Sequence, residues 1–139
     1  MSQSSPEFEI AVAIEPGDID VLGHVNNVTY LRWVQDAAVA HWTSLAPPAD
    51  QAKLVWVVVR HEIDYKHPAR ADDQIIARTW VGHASRVRFE RHTELLRAAD
   101  RAVLAKALTL WCPIDRATGK PAAVSAEVRA RFSLPDGER

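Results

Sequence analysis

The sequence predicts an α+β domain on three observations. One long stretch has helical periodicity, a later series of strand-like stretches is separated by short turns, and 139 residues suffice for one domain with a sizeable core. Strands that follow one another across short turns favour an antiparallel sheet, with the single long helix packed on one face. No repeat, low-complexity block or linker divides the chain, so residues 1–139 read as one domain, with about 1–6 and 135–139 expected to be loose tails.

Each element carries its own signal. Phe8, Ile10, Val12 and Ile14 alternate with small or acidic residues over 7–14, the period of a half-buried strand, and Pro16-Gly17 ends it. Leu31, Val34, Ala38 and Trp42 share one face of a helix over about 28–45, with Asn26 or Asn27 as its N-cap and Pro47-Pro48 as its stop. Residues 54–65 contain Val-Trp-Val-Val-Val, apolar on both faces, which predicts a strand covered on both sides by helix or by a partner subunit. Pro68 and Asp72-Asp73 mark a turn.

Strands are then expected over 74–81, 86–96 and 102–112, with 82–85 as a connector and Ala99-Asp100 as a turn. The last stretch also has good helix formers, but Ala102, Leu104, Lys106, Leu108 and Leu110 share a parity, which favours strand. Residues 113–121 read as a turn, and 125–132 as a short amphipathic helix capped by Ser125.

Composition removes several classes of function. Lys plus Arg number 17 against 18 Asp plus Glu, so no charge field points to nucleic acid or an anionic membrane. Cys112 is the only cysteine, which excludes an intrachain disulfide and any multi-cysteine metal site. The first residues lack the basic start and apolar run of a secretory signal, and no stretch reaches spanning length, so a cytoplasmic protein is expected.

The densest chemical signal lies at 18–31, Asp-Ile-Asp-Val-Leu-Gly-His-Val-Asn-Asn-Val-Thr-Tyr-Leu, where acids, a glycine turn and paired asparagines run into a helix start. A helix N-terminus presents unpaired N–H groups and the positive end of a dipole, so an adjacent carboxylate faces a ready activator of a carbonyl, as acyl transfer requires. Asp20 can supply an oxygen nucleophile or a general base, and Gly23 allows the tight backbone that brings the Asn27 N–H into play. His24, four residues from Asp20, either handles protons or orients the acid, or is bonded to loop backbone.

Other candidates carry less. His61 and His67 share a face with Ile63 and Tyr65, and a metal reading lacks a third ligand, so no metal site is expected. Arg86, Arg88 and Arg91 read by default as solvated strand residues, with Arg91 on the face opposite the other two.

With this element order, Asp18-x-Asp20-x-x-Gly23-His24-Val25-Asn26-Asn27-x-x-Tyr30-Leu31 resembles the hotdog-fold acyl-CoA thioesterases of the 4-hydroxybenzoyl-CoA thioesterase type. The likeness extends to Ile63-Asp64-Tyr65-x-x-Pro68-Ala69-x-x-x-Asp73 and to Trp111-x-x-x-Asp115-x-x-Thr118-Gly119-x-Pro121. It departs at Gln35-Asp36, where the fatty-acyl branch often has a glutamate, and at Leu22, where plant acyl carrier protein thioesterases have an asparagine.

The resemblance implies a five-stranded antiparallel sheet wrapped around one long central helix, and hydrolysis of an acyl-CoA to free acid and coenzyme A without metal or redox cofactor. It assigns catalysis to Asp20 and to the Asn27 N–H at the helix cap, and leaves Asp18 structural. Gly23 and Tyr30 are expected beside the substrate, with Tyr30 packing the helix and its hydroxyl near the site, and the resemblance also implies that Arg86, at the start of a strand, meets coenzyme A phosphates. A homodimer or homotetramer is expected, with some of the five tryptophans in an acyl pocket or interface. Two alternatives stay open: a hydratase or dehydratase in which His24 handles protons, and a non-catalytic acyl-thioester binding protein.

Overall fold

The computed structural model describes residues 7–132, so the expected tails at 1–6 and 135–139 lie outside the described residues. Its strands are β1 (Phe8–Val12), β2 (Leu54–Tyr65), β3 (Ile75–Ala84), β4 (Phe89–Arg97) and β5 (Val103–Asp115); its helices are α1 (Asn27–Leu45), α2 (Pro48–Lys53) and α3 (Ala126–Arg129). The strands form one antiparallel sheet in the order β1-β3-β4-β5-β2, with α1 across one face. This is the hotdog architecture, α+β in class.

Two apolar clusters divide the space between α1 and the sheet. Tyr30, Trp33, Val34 and Ala37, from the first half of the helix, pack on Ile75, Ala77, Leu95, Ala105 and Ala107. Ala38, Trp42 and Ala46, from the second half, pack on Leu54, Val81, Phe89, Trp111 and Phe132. The small side chains of Ala105 and Ala107 leave the room that Tyr30 and Trp33 fill.

Two register shifts set which residues face the helix. In β2 the pairing jumps from Val58↔Trp111 to Arg60↔Leu110, so Val59 is bulged out of register. Trp56 and Val58 before it and Ile63 after it all meet the core, while Arg60, Glu62 and Asp64 turn outward. In β5 the shift falls at Leu104, between the Leu95↔Ala105 and Leu96↔Val103 pairs. It corrects the expected parity: Leu104 joins Ala105, Ala107, Thr109 and Trp111 among the buried residues, and Lys106, Leu108 and Leu110 take the other face.

Other boundaries move for physical reasons. β3 runs on through Gly82, His83 and Ala84, because Ala84 pairs with Phe89 after a shift, so the connector is shorter and later than 82–85. Arg86 and Arg88 therefore sit in the turn between β3 and β4 instead of alternating along a strand, and Arg91 is buried at 5% exposure rather than solvated. α2, unanticipated, starts with Pro48 in its first turn, where a missing N–H costs nothing. β2 pairs with β5 alone and lies at the sheet edge, leaving Val57 and Val59 at 43% and 51% exposure; the second cover expected for it does not come from the described residues.

Candidate active site

A tight loop delivers the acids to the helix. Asp20 N–H donates to the His24 carbonyl at 2.8 Å and Gly23 N–H donates to the Asp20 carbonyl at 3.0 Å, closing a turn flanked by an Ile19↔Val25 bridge. Gly23 occupies φ 78°, the left-handed region that a side chain disfavours, with open space around it. The Asp20 carboxylate closes the turn from within: Oδ1 accepts the Leu22 and His24 amides at 2.9 and 3.1 Å. Its Oδ2 has no hydrogen-bond partner among the described residues.

Asp18 has the opposite surroundings. It is 6% exposed, its two oxygens accept from Arg32 Nη1 and Nη2 at 2.8 Å each, and Oδ2 also accepts the Glu15 amide at 2.9 Å. The hydrogen bonds from Arg32 hold its carboxyl well below the usual carboxylate range, against the opposing effect of burial. Its carbonyl accepts the Asn26 N–H at 2.7 Å, so this acid anchors the loop to the helix start.

The cap itself is Asn26. Its backbone is extended, at φ −61° and ψ 141°, and its side chain accepts the Val28 N–H at 2.8 Å. Asn27 is thus the first helical residue rather than the cap, and its N–H meets no acceptor among the described residues. Its carbonyl accepts the Tyr65 hydroxyl at 3.2 Å, which ties the end of β2 to the same residue.

The second sequence motif locks onto the first at Ala69, which is fully buried. Ala69 N–H donates to the Tyr30 hydroxyl and its carbonyl accepts the Val25 N–H, both at 2.8 Å. Tyr30 is 2% exposed, with its hydroxyl engaged and its ring packed edge-on against Tyr65, so it braces the loop from within the core. Burial raises its pKa, and the nearby charges of Asp73 and Asp20 raise it further.

His24 belongs to the same loop; its imidazole makes no hydrogen bond among the described residues, and its backbone bridges Arg70. Arg86 does not come to this loop. It is exposed in the β3–β4 turn, and its carbonyl accepts the Val124 N–H at 2.9 Å, beside the core under the second half of α1. The third motif is a turn in which Asp115 Oδ1 accepts the Ala117 and Thr118 amides at 2.8 and 3.0 Å, tied to α2 by the Arg116 N–H, which donates to the Lys53 carbonyl at 2.8 Å. His61 shares a hydrogen bond with Thr109, and among the described residues no group of three His, Cys, Asp or Glu is arranged to hold a metal.

Sequence reasoning missed Arg32, and it picked out Tyr65 and Ala69 within the second motif without their ties to this loop. The available signal for Arg32 was a cation in the second turn of a helix whose preceding loop carries an unexplained acid.

Residues 14–132 match the Thioesterase-like superfamily, and the chain belongs to that family of thioester hydrolases. No curated protein matches it significantly. The PA5185 protein of Pseudomonas aeruginosa superposes with a TM-score of 0.82 at 20% identity, covering 92% of this chain and 94% of that one. A Thermus thermophilus thioesterase solved with coenzyme A and Zn superposes at 0.77 with 23% identity, covering 89% and 90%. Slr0204, a 1,4-dihydroxy-2-naphthoyl-CoA thioesterase from Synechocystis, superposes at 0.76 with 22% identity, covering 91% and 95%. These likenesses establish the shared fold. Among the described residues no helix is long and apolar enough to cross a membrane.

Proposed function

We propose that the protein hydrolyses an acyl-CoA thioester to a free carboxylic acid and coenzyme A. The observation that carries this is the pairing, in one short loop, of a half-occupied Asp20 carboxylate with the unengaged N–H of Asn27 at the positive end of a 19-residue helix. The N–H polarises the thioester carbonyl and stabilises the oxyanion, a role whose loss costs about 2.7–4 kcal/mol of barrier in a comparable site. Asp20 either draws the proton from an attacking water or attacks directly. In the first route the water oxygen bonds to the carbonyl carbon, its proton passes to Asp20, the C–S bond breaks and the thiolate takes up the proton. In the second, an Asp20 oxygen bonds to the carbonyl carbon, the C–S bond breaks to release the thiolate, and water then hydrolyses the mixed anhydride to the free acid and the Asp20 carboxylate, its proton going to the thiolate. Neither route draws on a metal or a redox cofactor. His24, in the same turn, is the side chain to which this reading gives one of these protons.

The Thermus thermophilus relative solved with coenzyme A supports the coenzyme A half of the substrate. A second copy of the chain covers β2: the unpaired edge and the exposed Val28, Val39, Val57 and Val59 are the surface a homodimer buries. Arg86 reaches coenzyme A phosphates in this reading only at the site of another copy, since within one chain it lies by the opposite half of the core.

Thiol release from a panel of acyl-CoAs tests the proposal. The wild type turns over and Asp20→Asn, whose amide oxygen still accepts both loop amides, folds normally but loses about 10²- to 10⁴-fold in kcat. Full activity in that variant removes Asp20 from the chemistry, and ligand binding without turnover by the wild type makes the protein a binding module.

A further inference from the structure

The second half of α1, α2 and the start of β2 enclose an open cavity of about 450 Å³, at the opposite end of the helix from Asn27. Its size is that of a small-molecule pocket. Trp42, Trp56, Phe89 and Trp111 supply its apolar wall, and no acidic residue lines it.

Arg91 on this wall is 5% exposed and has no carboxylate partner among the described residues. Its described hydrogen bonds both leave through Nη1, to His41 Nδ1 at 2.9 Å and Thr79 Oγ1 at 3.0 Å. A guanidinium carries five N–H donors, so the rest of the fork is unspent. Burial lowers its pKa to about 10, which leaves it cationic at neutral pH. His41 accepts from it as a neutral imidazole, its pKa depressed to about 4 by burial and then by the Arg91 charge.

The indole rings of Trp56 and Trp111 line the cavity, and Trp111 is 8% exposed. A buried cation in an apolar wall without a carboxylate partner among the described residues is costly unless something brings an anion. Arg116, at the rim, has its Nε engaged by the Ala52 carbonyl and adds positive charge, not negative.

We propose that this cavity binds an apolar or aromatic group ending in a carboxylate, with the carboxylate on the free edge of the Arg91 guanidinium and the body against the tryptophans. A carboxylate matches the planar fork, and a monoanion suits one buried cation in an apolar chamber better than a phosphate dianion does. The same chemistry comes from two sources, the far end of an acyl group in the thioester or a free carboxylic acid. The first source rests on the thioesterase reading; the second does not.

The test has two arms on the full chain. In the first, tryptophan fluorescence follows titration with phenylbutanoate and with phenylbutanamide, near-isosteres in which an NH₂ donor replaces one anionic acceptor oxygen. The carboxylate is expected to bind about tenfold tighter or more, and Arg91→Met to abolish that preference while still binding the amide. In the second, thiol release compares acyl-CoAs of matched length ending in methyl or in carboxylate. An Arg91-dependent preference for the carboxylate end assigns the cavity to the acyl group; a preference confined to the first arm assigns it to a free acid. Equal affinity for acid and amide, together with no preference in kcat/KM, overturns the proposal. That wild-type comparison decides even if Arg91→Met fails to fold, and Arg91→Lys then serves as the variant, expected to lose most of the preference with the fork. An enzyme that releases no thiol from any substrate refutes the proposed function, while the fluorescence arm still decides the cavity.

Discussion

Asp18 gives both carboxylate oxygens to the Arg32 guanidinium, at 2.8 Å each, and this bidentate pair rivets the acidic loop to the second turn of α1. Two positions on, Asp20 meets no cation in an ion pair among the described residues, which also leave one of its oxygens unengaged. The two acids of one short motif therefore divide into an anchor and a reactive candidate by the company each keeps.

Arg32→Met leaves the Asp18 carboxylate buried without its cation, with the Glu15 amide still on its side chain. Urea unfolding at pH 7 is expected to show a loss of roughly 1–3 kcal/mol. Because the folded pKa of Asp18 is depressed, the pair's contribution is present above the carboxylate's unfolded pKa and is lost as pH falls below it. An unchanged unfolding midpoint in Arg32→Met at pH 7 contradicts the anchoring role.

The Asn27 N–H can be deleted without breaking the helix. Proline is tolerated at the first helical position, and the extended Asn26 backbone, φ −61° and ψ 141°, is the conformation that a following proline demands. Asn27→Pro should retain wild-type stability and lose about 10²- to 10³-fold in kcat, whereas Asn27→Ala should stay within a few-fold of wild type. Equal activities for the two variants would show that this N–H does not touch the reacting carbonyl.

His24→Ala separates loop support from proton handling. The turn uses only the His24 backbone, so the unfolding midpoint is expected to hold. Turnover is expected to drop about tenfold or more. A rate within twofold of wild type makes the residue scaffold.

Stability should decline between pH 6.5 and 4 for a reason unconnected with the acids. His41 is 1% exposed and its pKa falls to about 4, so in that window the unfolded chain binds more protons than the folded one and stability is lost as pH falls. The shift amounts to roughly 2–3 kcal/mol across the window. His61, also lowered by burial, adds to the same limb. His41→Gln keeps an acceptor for Arg91 and removes the titration, so its pH–stability curve should be flatter there; a limb as steep as that of the wild type refutes the assignment.

Much of the site was legible because it is local. Gly23 at positive φ, Asn26 as cap and the Asp20 turn all follow from residues within a few positions of one another, and the motif resemblance singled out Asp20. The surroundings of Tyr30 and Arg86 were not legible because they are not local: the Tyr30 hydroxyl accepts from a backbone amide 39 residues away, and a late-starting β4 leaves Arg86 in a turn.

The sequence alone determined the five strands, the long helix and the short last helix in their order, though not α2, since helix and strand periods, prolines and caps report on neighbours along the chain. It also determined the α+β class and singled out the loop to which the proposed chemistry is assigned. Only the tertiary structure decided that β2 leaves its sequence neighbour to pair with β5, that bulges at Val59 and Leu104 reset which side chains face the helix, and that Arg91 turns inward. Strand partners and burial are settled by which distant surfaces fill one another's volume, and a shift of one residue reverses every side chain beyond it. No pattern read along the backbone contains that information.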